Sequence, residues 1–164
     1  MLDPSTQVLN RKGFNQQLQV LMRSDAEVPP PHCLIMIDID HFKNVNDTHG
    51  HVTGDRVLVG LAAVLRRCVP GGDRRVARYG GEEFANLLPL TATDDDVRLA
   101  GSMRRHASAM KFRDRRTQQV VTSVTVSAGV AAFKPGDDAS TWIERAEASL
   151  YEPKQAGRDC VTLA

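Results

Sequence analysis

Two adjacent glutamates, Glu82 and Glu83, lie in the stretch RYGGEEFANLLPL (78–90), directly after Gly80 and Gly81. FANLLPL reads as a buried strand and VAR, just upstream, as another, so the acids sit at the mouth of a hairpin. Like charges side by side repel and gain nothing from burial. One chemistry gives them a use. The glycines permit φ > 0 and the close approach of a ligand to the backbone. Strand alternation puts Glu82 and Glu83 on opposite faces, so only one need share a site with a third acid. That acid is Asp38, at the end of the apolar run CLIMIDID (33–40), where open sheets commonly hold ligands. A carboxylate pair completed by phosphate oxygens is the usual way of holding Mg²⁺, which takes hard oxygens and few protein ligands. The residues alone leave two readings open, a metal–phosphate site and a charged turn.

The elements that must position these acids follow from periodicity. Thr6 to Met22 carries Phe14, Leu18, Leu21 and Met22 at helical spacing, and PPP (29–31) ends it. CLIMIDID is nearly unbroken in apolarity, as expected of a central strand covered on both faces. HFKNVNDTHGHVTGD (41–55) reads as a turn-rich polar stretch, followed by an amphipathic helix from Asp55 to Val69 that PGGD (70–73) breaks. After the hairpin, Asp94–Asp96 signal a helix start, and that helix runs to about Phe112. RDRR (113–116) reads as a solvated loop, and the alternation from Val120 to Val126 as a strand. Asp137–Ser140 caps a last helix whose stripe from Trp142 to Tyr151 is core packing, and CVTL (160–163) closes as a short strand. Hairpins mixed with helices predict an α+β domain, with a mainly antiparallel sheet of about five strands wrapped by helices.

With 164 residues, 41% apolar and 25% charged, the chain is expected to be one soluble domain spanning 1–164. Net charge is +1, and the arginine pairs (66–67, 74–75, 104–105, 115–116) form no basic stripe with interleaved aromatics, which argues against nucleic-acid binding. Cys33, Cys68 and Cys160 lack metal-type spacing and read as reduced thiols of a cytoplasmic protein. CLIMI is too short to cross a bilayer, so the domain itself makes no direct membrane contact, whatever a larger membrane-anchored or sensor protein around it does. His49 and His51, an i, i+2 pair without further ligands, do not make a transition-metal site, and His32 and His106 are expected at the surface.

Five stretches, NRKGF (10–14), IDIDHFKNVNDTHGHVTGD (37–55), RYGGEEF (78–84), VTVSAGVA (124–131) and LYEPKQAGRD (150–159), together resemble the GGDEF family of diguanylate cyclases over nearly the full length. The resemblance implies a fold like the palm of nucleotide polymerases and class III nucleotidyl cyclases. The reaction it implies condenses two GTP into cyclic di-GMP with release of two pyrophosphates, in a two-fold dimer of domains. The resemblance also implies Asp38, the Ile39 carbonyl and Glu82 as ligands of Mg²⁺, with Mn²⁺ as an alternative and Glu83 assisting a second ion. Glu82 is also the expected acceptor of the proton from the attacking 3′-hydroxyl. The amides of His41 and Phe42 and the ammonium of Lys43 are implied to hold β- and γ-phosphate, with Lys154 and Arg158 reaching the same phosphates. Asn46 and Asp55 resemble the guanine readers, with His51 beside the nucleoside. Read without the family, Asn46 is a turn residue, Asp55 a helix N-cap, and Lys154 and Arg158 solvated charges.

Three departures from the family pattern stand out. DPSTQVLNR (3–11) has Ser5 and Gln7 where leucine and glycine are usual, within residues 1–12, the junction to an N-terminal regulatory region. Pro153 interrupts the last helix one residue before Lys154. The R-x-x-D product site is lost: Gly71 and Arg74 occupy its positions, and Asp73 pairs in register only with Pro70. Two rival readings are a catalytically silent GTP-binding module and a structural dimerisation domain. The second gives no reason to keep Lys43, Asn46 and Asp55 together.

Overall fold

Cys33–Ile39 (β1) is buried along its whole length because it is flanked on both sides. In the computed structural model, which describes residues 1–23, 27–28, 30–121, 124–152 and 156–164, β1 pairs antiparallel with Glu83–Leu88 (β3) and with Val126–Ala132 (β6). Val76–Arg78 (β2) closes the hairpin with β3, and Val161–Leu163 (β7) adds to β6 as a parallel edge. The five-stranded order is β2-β3-β1-β6-β7, an α+β sheet that is mostly antiparallel.

Alternate side chains of β1 feed two cores. Cys33, Ile35, Ile37 and Ile39 pack with Leu58, Leu61 and Leu65 of His51–Cys68 (α3) and with Ala100 and Met103 of Thr93–Ser108 (α4). Leu34 and Met36 meet Phe14 and Leu18 of Arg11–Met22 (α1) and Trp142, Ile143 and Ala146 of Ala139–Ser149 (α5). Helices therefore cover both faces, which explains the unbroken apolar run of β1.

Several expectations are corrected. The polar stretch 41–55 is helical: Phe42–His49 forms α2, and α3 begins at His51 rather than Asp55. Helix α1 starts at Arg11, because Asn10 caps it by accepting from the Gly13 amide at 2.9 Å. Helix α4 ends at Ser108, and its N-cap is Ala92, so the exposed first-turn carboxylates Asp94 and Asp95 act through the helix dipole and not as caps. The strand expected over 120–126 splits: Val120–Val121 (β5) pairs with Phe112–Arg113 (β4) in a separate ribbon, Thr122 lies outside the described residues, and the sheet strand is β6. β6 reads VSAGVAA, buried on both faces and too small-chained to alternate. Tyr151 is 66% exposed and falls outside the α5 core stripe. His32 is 5% exposed, not superficial, and its Nδ1 accepts from the Leu90 amide at 3.1 Å. Cys33 is buried, while Cys68 and Cys160 are partly so, all as free thiols.

Candidate active site

The end of β1 delivers Asp38 and Ile39 to a cleft of about 260 Å³ whose lining also includes His41, Phe42, Lys43, Glu82 and Arg158. The hairpin reaches it by an unexpected route. Glu83 is the first residue of β3 and lies directly opposite Asp38, so these two carboxylates share a sheet face. Glu82 precedes the strand, within the bend, and strand alternation does not govern it. Its carbonyl accepts from the Ile39 amide at 3.2 Å, which holds the bend over the end of β1. The bend is braced by Arg78, which donates to the Gly81 carbonyl from Nε at 3.2 Å and from Nη2 at 2.9 Å. The same guanidinium reaches Ser5 Oγ at 3.2 Å and Asp3 at 3.6 Å, tying the N-terminal segment to the hairpin. Neither Gly80 nor Gly81 adopts the left-handed region, so positive φ is not why they are there. Open space above Gly81 leaves the backbone approachable.

Between β1 and α2 the chain turns at His41, whose φ of 53° is left-handed. No side chain caps α2. The amides of Phe42 and Lys43 precede the first helical bond, from the Asn44 amide to the His41 carbonyl at 2.9 Å, and carry the positive end of the dipole beside the cleft that both residues line. An anion is the natural partner of such a terminus. Arg158 adds a cation from the segment after α5. Lys154 and Pro153 lie outside the described residues.

Asn46, His51 and Asp55 do not line this cleft. Asn46 nonetheless lies against α3 at Gly54, the residue before Asp55. A Cβ placed on Gly54 would meet Asn46 Oδ1 at 1.8 Å, so the absence of a side chain there is what lets Asn46 lie against α3. Asp55 is exposed within α3, four residues past its start, and is not the N-cap. His51 borders a second pocket of about 270 Å³ with His49, Arg56, Arg115 and Arg116. Asp114, expected in a solvated loop, is buried; it accepts from His49 Nδ1 at 3.0 Å and from the amides of Arg116 and Thr117, which hold its carboxyl below the usual range despite burial.

At the positions where the family's R-x-x-D motif would fall, Gly71 has φ +69°, and Asp73 is engaged by the Arg66 guanidinium, at 2.8 Å from Nε. Sequence reasoning gave no role to Asp40, which borders the cleft beside Asp38 while its carboxylate is bonded to Thr125, Ser127 and the Asp159 amide.

Comparison with known proteins bears on the family and the fold. The family model described as diguanylate cyclase, GGDEF domain, matches residues 1–160. The diguanylate cyclase VdcA of Vibrio cholerae is 37% identical over 161 residues, covering 98% of this chain and 46% of VdcA. The chain thus spans less than half of that relative. The solved GGDEF domain of DgcB from Caulobacter crescentus, in complex with c-di-GMP, superposes with a TM-score of 0.92 at 39% identity, over 99% of this chain and 92% of that one. The active GGEEF domain of a Vibrio cholerae diguanylate cyclase, which shares the GGEEF form of the signature in its name, superposes at 0.72 with 29% identity, over 93% and 90% of the two chains.

Proposed function

The chain belongs to the GGDEF family of diguanylate cyclases, and on that premise we propose that it condenses two GTP into cyclic di-GMP, working as a two-fold pair of copies. What carries the reading is one cleft in which Asp38, Ile39 and Glu82 sit beside an uncapped helix start, Lys43 and Arg158. Hard oxygen donors on one side and cationic or N–H donors on the other suit a triphosphate and its divalent cation.

The donor set fits Mg²⁺ or Mn²⁺: two carboxylates, Asp38 and Glu82, with the Ile39 carbonyl, and Glu83 for a second ion. When bound, the cation lowers the pKa of the attacking hydroxyl and spreads charge on the phosphate in flight. The chain's own residues do the rest. The amides of His41 and Phe42 and the Lys43 ammonium orient the β- and γ-phosphates, which become pyrophosphate. Arg158, with Lys154, neutralises the same leaving group. Glu82 takes the proton as the 3′-hydroxyl oxygen of one nucleotide bonds to the α-phosphorus held by the partner copy and the α–β bridge breaks. Asn46 and Asp55 pair with guanine N–H donors, with His51 beside the nucleoside; adenine would leave the Asp55 carboxylate unpaired, a mismatch that polar sites penalise heavily.

Incubation with GTP and Mg²⁺, with products separated by chromatography and identified by mass, tests the proposal. Cyclic di-GMP and pyrophosphate are expected. Tight GTP binding without product would favour a silent GTP-binding module instead.

A further inference from the structure

Asp40 stands two residues beyond Asp38 and borders the same cleft, yet its carboxylate is committed elsewhere. Ser127 Oγ donates to Oδ1 at 2.7 Å, and Oδ2 accepts from Thr125 Oγ1 at 2.7 Å and from the Asp159 amide at 2.9 Å. The Asp40 amide donates to the Thr125 carbonyl at 2.9 Å. One side chain, 6% exposed, thereby joins the end of β1, the start of β6 and the loop after α5.

That loop carries Arg158 to the cleft in a shape that needs holding. Gly157, Arg158 and Asp159 have φ of 97°, 69° and 49°, all left-handed. Glycine adopts this region freely, but other residues keep it only where their surroundings over-determine it. Two tethers on Asp159 do so. Its amide is fixed by Asp40 from inside, and its carboxylate by Arg104 Nη1 from outside at 3.0 Å. Beyond it, the Cys160 carbonyl accepts from the Ala128 amide at 2.9 Å as β7 joins the sheet.

We infer that Asp40 is a positioning residue: through the Asp159 amide it holds Arg158 at the phosphate side of the cleft, and it does not ligate the cation. The inference rests on the proposed triphosphate site. It divides the DID triplet into Asp38, facing the ligand, and Asp40, facing the scaffold. The chemistry separates this role from metal binding. An asparagine at 40 offers its amide oxygen to the Asp159 N–H and the Thr125 hydroxyl, and its NH₂ to Ser127 Oγ, which can accept as readily as donate. Asp40→Asn therefore preserves the anchor and Asp40→Ala removes it. A metal ligand would suffer from either change, because both remove the charge.

Calorimetry with a nonhydrolysable GTP analogue and Mg²⁺ tests this on the whole chain. Arg158→Ala is expected to weaken binding about tenfold, the loss of one charge-assisted phosphate contact. Asp40→Ala should weaken it by nearly the same factor, and the double variant no more than Arg158→Ala alone, since both changes remove one interaction. Asp40→Asn should stay within about twofold of the unaltered chain, as a change that keeps the hydrogen bonds. Guanosine monophosphate affinity, which lacks the terminal phosphates, should move in none of them. Thermal unfolding reports whether each variant folds. If Asp40→Ala does not, Arg104→Ala decides, because it cuts only the outer tether; a loss of about two- to threefold is expected, absent when Arg158 is already alanine. Full affinity in Asp40→Ala, additive losses in the double variant, no loss in Arg158→Ala, or an asparagine variant as weak as alanine overturns the inference, as does unchanged affinity in a decisive Arg104→Ala. No binding by the unaltered chain would instead remove the triphosphate reading, and the inference with it.

Discussion

Glu82 is the side chain on which the proposed chemistry turns, and its position in the bend, outside the β3 ladder, lets it reach the cleft that Asp38 borders. Glu82→Gln keeps the volume and removes the charge. Product formation is expected to fall by about a hundredfold or more, as when a charge-stabilising group is lost from an active site. The unfolding midpoint should stay unchanged, since Glu82 is exposed. Near-normal synthesis at matched protein concentration would remove its assignment. Another acid behaves oppositely. Asp96 is fully buried in the first turn of α4, and its oxygens meet no nitrogen or oxygen donor among the described residues. Burial pushes its carboxyl up from 3.8 to about 6, with the Cys33 thiol only partly compensating. Because the folded-state value is raised, the neutral form stabilises the fold at low pH, and that contribution is lost as pH rises from about 4 through about 6. The rise corresponds to roughly 3 kcal/mol at most. Asp96→Asn is therefore expected to raise the unfolding midpoint at pH 8 and to leave it unchanged at pH 4; equal shifts at both would count against this cause. The sequence shows Asp38 and Glu82 because their types announce metal and phosphate chemistry. It hides Asp40 and Asp114, whose partners (Thr125, Ser127, Asp159 and His49) come from distant parts of the chain.

At the scale of elements, α2 was the least legible. FKNVNDTH offers only Phe42 and Val45 as apolar side chains, and short polar residues compete with the backbone for hydrogen bonds. It is helical because it packs on α3, from which Gly50, at φ 85°, separates it. The α2–α3 contact supplies a test. Gly54→Ala places a methyl where Asn46 Oδ1 now lies. The amide can swing aside, so the fold should survive, but GTP should lose affinity by about tenfold if Asn46 reads guanine, a loss of one good polar contact. Calorimetry with GTP and ATP analogues checks it: an unchanged preference for GTP would detach Asn46 from base recognition. The 3₁₀ turn Gly72–Arg74 after α3 supplies another. Gly71 holds a left-handed φ that an arginine would adopt only with strain, and Asp73 is engaged by Arg66. Product should therefore bind only weakly, in competition with GTP. Sub-micromolar cyclic di-GMP binding that persists with saturating nonhydrolysable GTP would show a product site elsewhere.

At the scale of the molecule, the sheet was legible because CLIMIDID has the unbroken apolarity of a central strand and the glycine hairpin announces its neighbours. The parallel pairing of β7 was not, since CVTL is too short to carry direction. The proposed reaction also exceeds one molecule: on that reading the cleft would take one triphosphate, and the second would come from another copy facing it across a two-fold axis. Each half-site is useless alone. Turnover per chain should then rise with protein concentration until copies are paired. The N-terminal segment is well placed to control that pairing. Leu9 bridges to Ala77 of β2, and Arg78 grips Ser5 and Asp3 while bracing the bend that carries Glu82. A parallel coiled coil fused before Asp3 would hold two chains by these segments and replace dilute encounter by an effective concentration of about millimolar order. Specific activity of the fusion should be high and insensitive to dilution, while that of the unfused chain should fall as it is diluted below the micromolar range. A dilution series with light scattering at each point separates the cases. Constant specific activity from chains shown to be monomeric would mean that one copy completes the reaction, and the facing-site mechanism would have to be abandoned.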